Sequence, residues 1–216
     1  MIPPGRFIRF AEETNLIKEV GEWVLHEACR QGCAWQAQGM PAVRIAVNIS
    51  AMQFRDPDLP GIVLAALRAS GLDARHLEIE LTESIIMEDV ERATGSLEQL
   101  KTLGLELAID DFGTGYSSLS YLKRFPIDLL KIDQSFVRDI TTDKDDAAIT
   151  SAIIALTHNL GLRTIAEGVE TAEQLAFLEG HGCDEVQGFL FSRPLAPEEC
   201  TDLLASQSAA QRAKSA

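Results

Sequence analysis

Asp110 and Asp111 stand side by side at the end of a short aliphatic run. Two carboxylates held that close repel, so without a cation one of them keeps its proton; a divalent ion resolves the conflict by taking both as ligands. Asn48, Glu80 and Glu167, at the ends of other β-branched or aliphatic runs, add oxygen donors. An all-oxygen set suits Mg2+ or Mn2+ better than zinc or copper. Lys131, two residues ahead of Asp133, brings a cation among the acids, able to steer a water or hold a phosphate oxygen. Oxygen ligands around one or two hard metals, with a lysine, form an apparatus for attacking a phosphodiester: water is activated and the charge growing on phosphorus is neutralised. Directly after the aspartates comes a loop with Gly113, Gly115, Ser117 and Ser118, which Glu83 is spaced to tether by accepting its hydrogen bonds. Any one of these acids, taken singly, is as readily a helix cap or a surface ion-pair partner. Agreement among six strand ends, down to Glu170 and Gln187 in the last two units, is harder to explain that way.

The elements that must position these residues alternate. Strands are expected at Val43 to Ile49, Leu77 to Leu81, Leu105 to Ile109, Leu129 to Ile132, Arg163 to Ala166 and Glu185 to Phe191. Helical spacing occupies 22–38, 59–70, 90–103, 117–124, 147–160, 172–181 and 197–205, with Ile149, Ile153, Leu156 and Leu160 on one face of the fifth and Gly161 as its cap. Strict alternation implies parallel strands with crossover helices, hence an α/β fold. No glycine-rich phosphate loop follows any strand, which disfavours an open dinucleotide-binding sheet. Polar residues at strand ends favour a TIM-like (β/α) barrel, whose strand ends converge on one mouth. About six of the eight βα units are legible, so the barrel is expected to be incomplete, with its two opening strands outside this sequence. Residues 1–205 form the expected domain, and 206–216 a flexible polar tail.

Composition narrows the partners. With 19 Lys plus Arg against 33 Asp plus Glu, the net charge is −14, which repels a phosphate backbone and argues against DNA or RNA as a ligand. A phosphorylated small ligand then requires a cation between it and the protein. Hydrophobic residues at 46% and charged residues at 24% indicate a globular chain, and aromatics at 6% make its core aliphatic. There is no apolar run of membrane-spanning length and no signal-peptide layout, so the chain is expected to be cytoplasmic, or the cytoplasmic part of a larger protein. His26, Cys29 and Cys33 are a helical turn apart, but Cys183 and Cys200 supply no matching pair for a zinc site.

The segments VNIS (47–50), ELTES (80–84), DDFGTGYSSLSYL (110–122), KIDQSFV (131–137), AEGVET (166–171) and QGFLFSRP (187–194) together resemble the EAL domain family, bacterial phosphodiesterases that open cyclic di-GMP to linear pGpG. The resemblance runs from about Ile2 to Leu204. It implies a (β/α) barrel with Mg2+ or Mn2+ at the strand ends, with Asn48, Glu80 and Asp110 as metal ligands and Asp111 and Glu167 at the second-metal and water-activating positions. Lys131 then holds the attacking water, Glu83 anchors the loop that begins at Asp111, Gln187 lies near the ligand, and Asp133 and Glu170 support the ligating groups from behind. Loop 112–118 and its following helix are a candidate homodimer surface, and upstream sensor or GGDEF domains are candidate partners, though neither follows from the sequence itself. The Glu-Ala-Leu signature, whose glutamate ligates the metal, has no counterpart here, so this fragment is expected to hydrolyse its substrate slowly. A degenerate member that binds cyclic di-GMP or a protein partner without hydrolysis is the alternative; metal-dependent lyases on similar barrels find no support in the loop motif.

Overall fold

The computed structural model describes residues 3–115 and 119–214. A 3-10 turn (Pro4–Arg6) leads into α1 (Ile8–Glu13) and α2 (Ile17–Ala37), followed by β1 (Ile45–Asn48), α3 (Ala51–Phe54) and α4 (Leu59–Ser70). Next come a second 3-10 turn (Ala74–His76), β2 (Leu77–Thr82), α5 (Glu83–Met87), α6 (Val90–Lys101), β3 (Glu106–Phe112) and α7 (Leu119–Leu122). The remainder is β4 (Leu129–Ile132), α8 (Gln134–Arg138), α9 (Lys144–Asn159), β5 (Arg163–Ala166), α10 (Ala172–Gly180), β6 (Glu185–Val186) and α11 (Pro197–Lys214). The strand order in the sheet is the order in the chain, and β3 to β6 pair in parallel. The fold class expected from the sequence therefore holds: α/β, with six consecutive βα units of the TIM-like barrel kind.

Contacts group the chain into two compact units. The first comprises Met1–Ile79, Gln99–Leu105 and Leu195–Ala216. Its core is aliphatic, with Leu25 and Cys29 of α2, Val47 of β1, Leu59, Val63, Ala66 and Leu67 of α4, and Leu77 and Ile79 of β2 all buried. The buried Glu78 carboxylate is met by Arg44 at 2.6 Å. Trp35 of α2 donates to the Thr201 hydroxyl of α11 at 2.9 Å. That last helix runs on to Lys214, so 206–214, expected from sequence as a tail, have helical backbone.

The second unit comprises Glu80–Glu98 and Glu106–Pro194 and carries β3 to β6. Short helices α5 and α8 are additions to the sequence expectation, and the packing of α9 and the length of the last strand also differ from it. The stripe of α9 that is buried is Thr150, Ile153, Ile154 and Thr157, while Ile149 is 40% exposed. The spacing i, i+3, i+4, i+7 is kept, and threonine is admitted because its hydroxyl is satisfied locally: Thr157 donates to Ile153 O at 2.8 Å. The last strand is two residues long, not seven. From Gln187 the chain instead lies along the 166–170 segment, with Gln187 N donating to Ala166 O (2.8 Å), Val169 N to Gln187 O (3.0 Å) and Leu190 N to Val169 O (3.0 Å). Among the described residues no helix is long and apolar enough to cross a membrane.

Candidate functional site

Alternation along parallel strands stacks side chains in layers on one face of the second unit's sheet. At the strand starts, Arg163 of β5 donates to Glu106 of β3 (2.5 Å) and Glu185 of β6 (2.8 Å). Two residues on, Ala108, Leu129 and Ile165 form a buried apolar layer. Two residues further come Asp110, Lys131 and Glu167. The upper charged layer therefore rests on apolar packing, and its geometry is set by the register of β3, β4 and β5.

Lys131 is the centre of that layer. Only 3% exposed, its ammonium lies 2.7 Å from a Glu80 oxygen, 3.2 Å from Asp110 and 2.6 Å from Glu167. Burial opposes the charged form, but the fields of Glu80, Glu167 and Asp110 overcome it, so the ammonium's pKa is raised and it stays protonated throughout the physiological range. The same burial raises the Glu167 carboxyl above the usual carboxylate range, with Asp110 and Glu80 adding to the effect and Lys131 opposing it.

Asp111 is brought in by a break in the strand. Adjacent residues of a regular strand face opposite ways, so Asp110 and Asp111 would part company. The β3/β4 register shifts between Ile109 and Phe112, and Asp111 has a φ of 55°, a left-handed conformation that aspartate tolerates better than most residues. One carboxylate oxygen each from Asp110, Asp111 and Glu167 then fall within 4.8 Å of one another. Burial, Asp110 and Asp133 all push the Asp111 carboxyl up. Asp133 also caps α8, accepting from Ser135 N at 2.9 Å.

This donor set fits a hard divalent ion. Oxygen ligands at about 2.0–2.6 Å from such an ion lie at most roughly 4–5 Å apart, matching the observed spread. Among the described residues, no other group of three or more histidines, cysteines and acids has this proximity; His26, Cys29 and Cys33 share α2 without forming one.

Glu83, buried at the start of α5, accepts from Gly113 N at 3.2 Å and so fixes the loop that follows Asp111. Gly113 has a φ of 96°, and a Cβ there would meet the Phe136 ring at 3.0 Å, so the turn requires glycine. Tyr116, Ser117 and Ser118 lie outside the described residues. Asn48 ends β1 in the first unit, exposed. Glu170 and Gln187 are exposed and follow β5 and β6; neither belongs to the three-acid group.

Sequence reasoning passed over Gln174. Its buried amide accepts from Glu170 N (2.7 Å) and Thr171 N (2.9 Å) and donates to Val137 O (3.2 Å) and Arg138 O (3.0 Å). The available signal was Thr171 three residues earlier, a capping-box spacing.

The family model described as EAL domain matches residues 1–194. The chain is 50% identical over 206 residues to the bifunctional diguanylate cyclase/cyclic di-GMP phosphodiesterase MucR of Pseudomonas aeruginosa, covering 95% of this chain and 30% of that protein. It is 46% identical over 195 residues to the cyclic di-GMP phosphodiesterase NbdA of the same species, covering 90% and 25%. The chain thus spans less than a third of the length of these curated relatives. Among solved structures it is similar to the PaMucR phosphodiesterase in its c-di-GMP complex, with a TM-score of 0.89 and 50% identity over 92% of this chain and 81% of that one. The EAL domain of Mycobacterium smegmatis DcpA follows with a TM-score of 0.85 and 40% identity over 89% and 87%.

Proposed function

The chain belongs to the EAL domain family, and from that membership we propose that it hydrolyses cyclic di-GMP to linear pGpG with Mg2+ or Mn2+. The observation that carries the reading is the convergence of Asp110, Asp111 and Glu167 around a common point, with the Lys131 ammonium seated between Glu80, Asp110 and Glu167. Relatives named as cyclic di-GMP phosphodiesterases support it.

Asp110, Asp111 and Glu167 would hold the metal, with Glu80 beside them and Asn48 assigned by the family resemblance. A divalent cation, when bound, supplies Lewis acidity toward the phosphoryl oxygens and makes water a better nucleophile at neutral pH. Lys131 remains a hydrogen-bond donor, so it orients a water or a phosphoryl oxygen, and it offsets the repulsion among carboxylates that would otherwise spread the site. Glu167, its pKa raised by burial and its carboxylate 2.6 Å from the Lys131 ammonium, would act as a proton acceptor. Water oxygen bonds to phosphorus, the ring P–O3′ bond breaks, and the 3′ oxygen leaves as a hydroxyl, which opens the ring to pGpG. Glu83 and the Gly113 turn fix the start of the loop that carries Asp111, and Asp133, Glu170 and Gln187 line its surroundings in this reading.

From the sequence, residues 1–216 alone are read as slower than a chain that also carries a Glu-Ala-Leu segment. The loop 112–118 is read as a homodimer surface, and sensor or GGDEF domains as covalent neighbours in a cytoplasmic protein. Chromatography of cyclic di-GMP incubated with the protein and Mn2+ tests the reading. Appearance of pGpG, lost in Glu167→Gln and Asp110→Asn, is the expected result; unchanged product formation in both variants overturns it.

A further inference from the structure

The segment that carries Glu167 is held by partners that do not touch the charged layer. Glu167 N donates to Ile132 O of β4 at 3.1 Å. Beyond it, a Cβ at Gly188 would overlap the backbone O and N of Val169, so the 187–190 segment is packed backbone against backbone on one side. On the other side lies Gln174. A capping box uses its glutamine for one bond, to the N-cap N–H, here that of Thr171. Gln174 makes three more, and with two bonds accepted and two donated its amide reaches its ordinary capacity. The two donated bonds go to Val137 O and Arg138 O, the last carbonyls of α8, of which Val137 O also accepts from the capping Asp139 N. That helix starts immediately after Lys131, Ile132 and Asp133. A single buried amide therefore ties the segment following Lys131 to the segment following Glu167.

We propose that Gln174 is a positioning residue for Glu167, setting its carboxylate against Lys131 and the aspartates by joining α8 to the 167–171 loop. The inference rests on the role given to Glu167 above. Loss of a group that orients a metal-binding side chain costs about 10–100-fold in metal affinity or activity.

Gln174→Met keeps the length of the side chain and removes all four hydrogen bonds. Leu178→Ala, in the same helix and fully buried, supplies a variant that loses stability without touching the bracket. Two quantities are measured on each protein at a temperature where all are folded: Mn2+ affinity, from free Mn2+ counted by electron paramagnetic resonance, and kcat with KM for cyclic di-GMP. The expected result is Mn2+ binding weakened about tenfold or more in Gln174→Met, with kcat lowered and KM within twofold, while Leu178→Ala matches wild type in all three. Wild-type Mn2+ affinity in Gln174→Met, or equal losses in the two variants, overturns the inference. If the wild-type protein makes no pGpG, the proposed function fails, and the Mn2+ titration still decides the role of Gln174.

Discussion

Replacing Lys131 by methionine removes the one positive charge from the middle of Glu80, Asp110 and Glu167. The ammonium makes contacts of 2.7, 3.2 and 2.6 Å there, and Glu80 and Asp110 are both under 10% exposed. Methionine fills most of the volume, so the change is electrostatic. Breaking a buried ion pair by deleting one partner costs about 3–5 kcal/mol, because the other charge is left uncompensated. At about 2–4 °C per kcal/mol for a chain of this size, the melting temperature falls by roughly 6–20 °C in metal-free buffer. The pH dependence follows by sign. In the wild type the raised Lys131 pKa contributes stability that is present below the ordinary lysine pKa and lost only as pH rises past the folded value, so it is constant between pH 5 and 8. In the variant Glu167, whose carboxyl burial already raises and Lys131 no longer opposes, has a folded pKa further above its unfolded one. Its penalty is absent when it is protonated and grows as pH rises. The gap between wild type and Lys131→Met, measured by thermal unfolding in EDTA, therefore widens from pH 5 to pH 8. A loss under about 1 kcal/mol, or a gap that narrows with pH, refutes this account of what holds the charged layer together.

Three further outcomes are expected. Asp111→Gly is more stable than Asp111→Ala by about 1 kcal/mol in urea unfolding, because only the glycine adopts the left-handed backbone freely; equal stabilities would show that the bulge is unstrained. Gly188→Ala disrupts the hydrogen bonds made by Val169 N and O and loses about 2 kcal/mol, and a neutral result would show that the 187–190 segment does not brace its neighbour. Asp184 accepts from Thr164 N and Oγ1 and from His158 Nε2; burial works against its charge, but these bonds prevail and lower its pKa. Its contribution is thus present above the ordinary aspartate pKa and lost as pH falls through the lowered one, so Asp184→Asn costs about 1 kcal/mol at pH 7, at the low end because solvent screens a half-exposed pair. That difference disappears in strong acid, and a difference independent of pH would count against it.

The alternation of strands and helices was legible because each buried strand is a short aliphatic run bounded by polar residues, and β4 and β5 begin and end where that pattern does. Lys131 and Glu167 followed from their places at strand ends. The bulge was not legible: nothing in an Asp-Asp pair says that the second residue turns back, and the reason it does is tertiary, since Glu83 holds Gly113 N and Gly113 sits against Phe136. The long sixth strand was overread because QGFLF has strand composition while its hydrogen-bond partner is a loop at Val169. The α9 stripe was misplaced by following isoleucine and leucine and discounting threonine, whose hydroxyls bond to backbone. Gln174 escaped notice because the two bonds it donates reach Val137 O and Arg138 O, distant in sequence, while the two it accepts read as an ordinary helix cap.

Anomalous diffraction from crystals grown with Mn2+ puts the central claim to its most direct test. A peak within bonding distance of Asp110, Asp111 and Glu167 is the expected result. A fully occupied peak elsewhere, with Glu80, Asp110 and Glu167 still closed on Lys131, would contradict it.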